Sequence, residues 1–205
     1  MRSPPSVWSA FTIVMLFVLA SACSPARDFN ASTEGQMALA DLSPASLGHE
    51  LRLSQSVRGE LAADGHTIRF ELEVTTERLA LVGLTTLGIP LFELVQDKDG
   101  ITVHDLMATD NVEIFKPQYL LGDFKMAYWP LETINLTLGP MRMRAVEQVV
   151  NGKLVRLLLD NNGQSVLKIT YPVGGLDIGE LVVRRYDLPY RLRIRTINVR
   201  KGPET

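Results

Sequence analysis

Alternation of apolar and polar residues with a period of two dominates the chain from about residue 51 onward. The clearest case is the segment 68–74, in which aliphatic and aromatic residues alternate with Arg and Glu. Because successive side chains of a strand point to opposite faces, this pattern predicts a strand with one apolar and one solvated face. Further runs, separated by turn sequences such as Asp64-Gly65 and Asn151-Gly152, predict strands at 51–60, 79–84, 91–95, 101–104, 146–150, 154–159, 166–171, 181–185 and 192–199.

The run Leu79–Leu84 is apolar at every position, so both of its faces need cover. Gly83 lies inside this run, and a glycine within a strand marks a bulge, a bend or the close approach of another group. A bend in a curling sheet and a contact with bound cargo are both compatible with the sequence at this position.

The middle of the chain has a helical pattern instead. Pro117 can occupy the first turn of a helix that extends to about Trp129, and Pro130 opens a second helix over 131–138 that ends at Gly139-Pro140. A single antiparallel sheet of this length with so few helices must curl. The sequence therefore predicts a mainly β domain: one strongly curved antiparallel sheet, or unclosed β-barrel, of about ten strands with a helical lid on its concave side.

Apolar residues of the strands and of the first helix are expected to meet on that concave side. Those predicted to line the interior are Phe70, Leu72, Leu79, Leu81, Phe92, Leu94, Leu120, Phe124 and Trp129. A residue that lines a cavity and one that fills a core look alike in sequence, so an open cavity and a packed interior are both possible. For Trp129, packing beneath the lid and contact with cargo are likewise both open.

The N-terminus has the organisation of an export signal. Arg2 precedes an apolar run, Phe11–Ala20, that is shorter than the roughly 20 residues of a membrane-spanning helix. The run leads into Leu19-Ala20-Ser21-Ala22-Cys23, which resembles the bacterial lipobox; the alternative is an ordinary signal peptide with a cysteine nearby. The resemblance implies cleavage between Ala22 and Cys23 and acylation of Cys23, typically with palmitate, and Ser24 implies transfer to the outer membrane.

These features divide the chain into three parts. We expect a lipoprotein signal peptide at residues 1–22, a lipidated tether at 23–47 with a possible short helix around Glu34–Leu42, and a folded domain at 48–205. Cys23 is the only cysteine, and a role in lipid attachment explains why it has no disulfide partner in an oxidising compartment.

The near-neutral charge balance of the chain argues against one class of function, the binding of nucleic acid. The chain has 21 basic and 23 acidic residues, which does not fit the strongly basic surface of nucleic-acid-binding proteins. The last predicted strand has a basic face formed by Arg191, Arg193 and Arg195. We interpret this face as the solvated side of an edge strand, which deters aggregation, in preference to an anion-binding site.

For catalysis or metal binding the sequence offers few candidates. His49, His66 and His104 lie near predicted turns or strand ends, and His104 and Asp105 would point to opposite faces of their strand. The nucleophile-elbow motif Gly-x-Ser-x-Gly is absent, and Asp97–Gly100 lacks the later ligands of a calcium loop. We therefore expect no enzymatic activity, no metal site and no cofactor.

The order of elements behind a lipobox resembles that of the LolA/LolB class of periplasmic lipoprotein carriers, which are unclosed β-barrels with a helical lid over an apolar cavity. The segments LALVGLTTLG (79–88) with Leu91-Phe92, AYWPL (127–131) and YRLRIRT (190–196) further resemble uncharacterised bacterial outer-membrane lipoproteins associated with gene clusters for aryl polyenes, which are pigment-like polyene lipids. The resemblance implies a lipid-anchored protein at the periplasmic face of the outer membrane, with a lipidic cargo such as lipoprotein acyl chains or an aryl polyene lipid. Lipoprotein-sorting or polyene-synthesis machinery would be its partners.

Two functions remain open on the sequence alone. The first is a module that binds or transfers a hydrophobic lipid-like molecule beneath the helical lid. The second is a non-catalytic structural or assembly lipoprotein with a packed interior that acts through protein–protein contacts. An acyl hydrolase or transferase is the least favoured alternative, because the sequence shows no pairing of a nucleophile with a base.

Overall fold

The computed structural model describes residues 29–60, 67–105, 117–174, 179–188 and 190–204. Several predicted features lie outside these residues: the signal peptide at 1–22, its cleavage site after Ala22, the acylation site Cys23, the Asp64-Gly65 turn and His66. In the described part of the chain, no helix combines the length and the apolar character needed to cross a membrane.

Ten antiparallel strands form one sheet in the order β5-β4-β3-β2-β1-β10-β9-β8-β7-β6. Their bounds are β1 His49–Glu60, β2 Thr67–Val74, β3 Leu79–Leu84, β4 Pro90–Asp97, β5 Gly100–Asp105, β6 Arg144–Val150, β7 Lys153–Leu159, β8 Ser165–Thr170, β9 Glu180–Arg185 and β10 Arg191–Glu204. Three helices complete the described fold: α1 Phe29–Ala40, α2 Pro117–Tyr128 and α3 Leu131–Leu138. The predicted fold class, mainly β with one unclosed antiparallel sheet of about ten strands, is confirmed.

The sheet is joined at its centre by strands from opposite ends of the domain, because β1 pairs with β10 from Glu60↔Arg191 to His49↔Glu204. The prediction that the arginine-rich strand lies at an edge is therefore wrong: β10 is flanked by β1 and β9, and the edges are β5 and β6. Its outer face is still solvated, with Arg193 beside Glu180 at 3.3 Å.

Irregular pairing bends the sheet. The register shifts between Ser54 and Gln55 in the β1–β10 pair and between Gly83 and Leu84 in the β3–β4 pair. Such bulges increase the local twist and curve a strand. They let the long sheet wrap around α2, which is buried along most of its length.

The segment predicted as a tether contains more structure than expected. Helix α1 covers Phe29–Ala40, and a 3₁₀ turn follows at Pro44–Leu47. Leu39, Ala40 and Leu47 are all buried in the core. Helices α1 and α2 approach closely at Gly122, where an added Cβ would lie 2.6 Å from the backbone oxygen of Gln36. Residues 29–47 are therefore part of the folded domain.

Helix α3 covers the start of the open edge at β6. The side-chain amide of Asn135 accepts from the backbone N–H of Ala145 at 2.7 Å and donates to its carbonyl at 3.0 Å. A side chain thus occupies the hydrogen-bonding positions that a neighbouring strand would use at Ala145, which is one way to protect an edge strand.

Candidate functional site

The candidate site is the space between the concave face of the sheet and α2. All nine residues predicted to line the interior are buried. Phe70, Leu81, Leu120 and Phe124 line a cavity of about 20 Å³ beneath α2. The other five are buried but do not line this cavity: Leu72, Leu79, Phe92, Leu94 and Trp129.

The size of the cavity shows that the interior is packed in this conformation. Its volume of about 20 Å³ is enough for one water molecule, which needs roughly 10–15 Å³. Sites that enclose a small organic molecule typically measure about 300–1,000 Å³. A chain of several methylene groups can therefore enter only if side chains of α2 move.

Three polar and five apolar residues of the cavity wall are not among those predicted from the sequence. The apolar ones are Ala127, Leu181, Val183, Leu192 and Ile194. The polar ones are Gln55, Asp123 and Tyr128. The inward orientation of Gln55 could have been predicted from the sequence, because the residue lies in phase with Leu51, Leu53 and Val57, which face inward from the same strand. A polar residue at an inward-facing position of a strand is unusual, and it marks a buried amide that needs partners.

Gln55 is 1% exposed and joins the sheet to α2. Its Nε2 donates to the hydroxyl of Tyr128 at 2.6 Å and to the hydroxyl of Thr196 at 3.3 Å. Its Oε1 is buried and accepts no hydrogen bond within the described ranges. Burial raises the pKa of Tyr128, so its hydroxyl keeps its proton at neutral pH.

A buried charge network holds the middle of α2, at Asp123. Asp123 accepts from Arg185 of β9 at 2.7 Å and from Gln36 of α1 at 3.1 Å. The hydroxyl of Tyr190 also donates to Asp123. Arg185 is bound in turn by both carboxylate oxygens of Asp187, at 2.9 and 2.7 Å. Burial raises the pKa of the Asp123 carboxyl, while Arg185 and the Tyr190 hydroxyl act in the opposite direction.

The C-terminal end of α2 is fixed to β7 and to the residue after β8. The guanidinium of Arg156 donates to the carbonyls of Met126 at 2.7 Å and Trp129 at 2.9 Å. The hydroxyl of Tyr171 donates to the carbonyl of Ala127 at 2.7 Å. These bonds satisfy carbonyls that a helix end leaves without intrahelical partners, and they place a positive charge at the negative end of the helix dipole.

Lys125 fixes a third side of α2. Its Nζ donates to the carbonyl of Ala40 at 2.6 Å, and also to the carbonyl of Leu42 and to Oε1 of Gln96. These three acceptors match the three protons of an ammonium group. Burial lowers the pKa of Lys125 to about 7, and the nearby charge of Asp41 acts against this shift.

Trp129 is fully buried, and its indole N–H donates to the hydroxyl of Ser46 at 2.9 Å. Gly83 makes room for an aromatic ring, because an added Cβ would lie 2.3 Å from Cε1 of Phe92 on the neighbouring strand. Phe92 also packs edge-on against Phe70, with ring centroids 5.9 Å apart. Gly83 therefore lies next to a bulge, and the group that approaches it closely is the ring of Phe92.

The described residues contain no group of three His, Cys, Asp or Glu side chains that could hold a metal ion. His49 and His104, the two described histidines, lie on β1 and β5, away from the cavity wall. The groups that the fold gathers beneath α2 are apolar side chains, one amide, one phenol and one paired carboxylate. They are suited to binding by burial and hydrogen bonding.

Comparisons with known proteins give one family and several structural neighbours. The family model described as "Protein of unknown function (DUF3261)" matches residues 52–198. The chain is similar in structure to a LolA superfamily protein from Nitrosomonas europaea, with 6% identity, 86% of this chain and 94% of that chain covered, and a TM-score of 0.40. It is similar also to a DUF1329 family protein from Desulfovibrio piger, with 9% identity, 84% and 90% coverage and a TM-score of 0.33.

A third similar structure is the MucA/MucB complex from Pseudomonas aeruginosa, with 15% identity, 86% of this chain and 58% of that chain covered, and a TM-score of 0.28. The comparison with curated proteins gives no match.

Proposed function

The chain belongs to the DUF3261 family of proteins of unknown function, and we propose that it binds a hydrophobic, lipid-like chain between the concave face of its sheet and helix α2. This function is inferred from the chain's own site. The observation that carries this proposal is the cavity of about 20 Å³ beneath α2, whose wall is mostly apolar. Burial of an acyl or polyenyl chain there contributes about 0.8 kcal/mol per methylene group.

The way α2 is attached supports this location. Its middle, its C-terminal end and its side towards α1 are held by several buried hydrogen bonds, which involve Arg185, Arg156 and Lys125 respectively. The face over the cavity carries the stacked rings of Phe124 and Tyr128, with centroids 4.5 Å apart, and one hydrogen bond to Gln55. Ligand entry by rotation of the Phe124 ring would leave the anchoring bonds and the Tyr128–Gln55 hydrogen bond in place.

The cellular setting of the proposal comes from the sequence. With Cys23 acylated and Ser24 after it, the protein would be anchored at the periplasmic face of the outer membrane. Its cargo would be the acyl chains of a lipoprotein or an aryl polyene lipid, passed to or from lipoprotein-sorting or polyene-synthesis machinery. Binding and release of this kind need no covalent step, so the proposed protein is not an enzyme.

A second candidate function is favoured by the packing itself. A space of about 20 Å³ under a helix fixed at its middle and at its C-terminal end is also what a protein with a permanently filled interior would show. Such a protein would act as an assembly lipoprotein through its surface. The exposed apolar side chains of Val149 and Val173, at 73% and 67%, are available for protein contacts of this kind.

Native mass spectrometry of the full chain, released from the bacterial envelope in mild detergent, tests the two candidates. We expect a reproducible bound mass beyond that of the acylated protein. Ala127→Met, which narrows the cavity, should abolish it, whereas Val182→Met on the outer face of β9 should leave it unchanged. A bare mass, together with no uptake of a fluorescent fatty acid, would reject the lipid-binding function and favour the second candidate.

A further inference from the structure

The unpaired oxygen of Gln55 is the least satisfied polar group in the cavity wall. The side chain is 1% exposed, and its Oε1 accepts no hydrogen bond from any described residue. Natural proteins leave few buried polar atoms without a partner. An acceptor of this kind in the wall of a cavity indicates that the partner comes from outside the chain.

Resting on the proposed function, we infer that Gln55 determines specificity by accepting a hydrogen bond from a hydroxyl group, alcoholic or phenolic, carried by an otherwise apolar ligand. Tyr128 lines the same cavity. Its oxygen already accepts from Gln55, which leaves its own proton free to donate. A hydroxyl group is both donor and acceptor, so it can satisfy the amide oxygen and use the Tyr128 proton at once.

The charges around the cavity favour a neutral group over an anionic one. Asp123 is the ionisable carboxyl in the cavity wall, and its oxygens already accept from Arg185, Gln36 and Tyr190. Arg185 is itself bound to Asp123 and Asp187, on two sides of its guanidinium. A ligand carboxylate would meet the amide oxygen of Gln55 and the charge of Asp123, and its burial without a counter-charge is costly.

The simplest competing explanation is a water molecule. The cavity volume of about 20 Å³ accommodates one, and a water would satisfy Gln55 without any ligand. The two explanations differ in what happens when an apolar molecule enters. A specificity site distinguishes a ligand with a hydroxyl from an isosteric ligand without one, whereas a retained water does not.

The test is equilibrium dialysis of the full chain, held in phosphatidylcholine vesicles, against 4-hydroxystilbene and 4-methylstilbene, with protein-free vesicles as the blank. These molecules have nearly the same shape and differ in one hydroxyl. We expect the hydroxyl compound to bind at least about tenfold more tightly, because the methyl compound leaves the buried amide oxygen unpaired. Gln55→Met should reduce this preference to less than about twofold, and Ser56→Ala, the next residue on the outer face of β1, should retain it.

The outcomes separate this inference from the function on which it rests. Equal affinity of the unmodified chain for both compounds, or tighter binding of the methyl compound, overturns the role of Gln55 but leaves hydrophobic binding intact. Failure of both compounds to bind, together with no uptake of a fluorescent fatty acid, rejects the proposed function. Failure of both compounds to bind to a chain that still takes up the fatty acid overturns the role of Gln55 alone. A preference that persists in Gln55→Met also overturns the inference. The comparison in the unmodified chain does not depend on how well any variant folds.

Discussion

Gly83 offers a sharp test of how the interior is packed. In the structure an added Cβ at this position would lie 2.3, 2.7 and 2.8 Å from Cε1, Cζ and Cδ1 of Phe92. To restore carbon–carbon contacts of about 3.5 Å, the ring would have to move by about 1 Å. Phe92 is buried to 9% exposure and packs against Phe70, so its ring has little room to do so.

We therefore expect Gly83→Ala to lower the free energy of unfolding. Overpacking of a core typically costs about 1–3 kcal/mol, and the loss of chain entropy in the unfolded state offsets about 0.4–1 kcal/mol of this. The net expected loss is about 1–2 kcal/mol, measured by urea unfolding of the full chain followed by circular dichroism. Gly59→Ala on β1 is the matched control, because its Cβ would meet Leu192 at 3.9 Å; it should be neutral or slightly stabilising.

A double-mutant cycle isolates the contact. Phe92→Ala removes all three ring atoms that an alanine at position 83 would meet, at its own cost of up to about 3–5 kcal/mol. In that background Gly83→Ala should cost nothing, so the two changes should couple by the whole expected loss of about 1–2 kcal/mol. If Gly83→Ala were as stable as Gly59→Ala, or if its cost were the same with and without the Phe92 ring, the proposed packing of this glycine would be refuted.

Three further predictions concern charges and the anchor. Asp123→Asn and Arg185→Met should each cost about 3–5 kcal/mol in urea unfolding, and the double variant less than their sum, because each single change leaves a buried partner unpaired; additive costs would contradict the network. Burial lowers the pKa of Lys125 from 10.5 to about 7, so the unfolded chain holds this proton between those pH values and the folded chain does not. Stability should therefore rise as pH rises from 7 to 10.5; an identical rise in Lys125→Met, followed by the urea midpoint, would assign it to another group. Cys23→Ser should abolish incorporation of radiolabelled palmitate, and continued labelling would place the anchor elsewhere.

Local periodicity was sufficient to predict the strands and helices α2 and α3, but not the pairing of the strands. The segment 68–74 was readable as a strand because Phe70 and Leu72 face the core while Arg69 and Glu71 face solvent. The central position of β10 was not readable, because its pairing with β1 joins residues from opposite ends of the domain and leaves no local signal. An arginine-rich face is equally suited to an edge strand and to the outer side of a central one.

The polar contacts of α2 could not be predicted from the sequence either, for a different reason. Asp123 and Lys125 on a helix normally indicate a solvated face, and their burial depends on partners such as Arg185 and Gln96, distant in the chain. Helix α1 was mostly missed because residues 29–40 show little amphipathic pattern. Gln55 could have been noticed from its inward phase on β1, although its unpaired oxygen could not.

The contacts between α1 and α2 have a mechanical consequence. Gln36 of α1 donates to Asp123, and Lys125 binds the carbonyls of Ala40 and Leu42, so the two helices are bonded at two points. Helix α1 is also the first described element after the predicted attachment point at Cys23. Tension applied through the N-terminal segment would thus be transmitted to the helix that covers the cavity. If Cys23 is acylated as predicted, motion of the domain relative to the membrane and access to its interior would be mechanically linked.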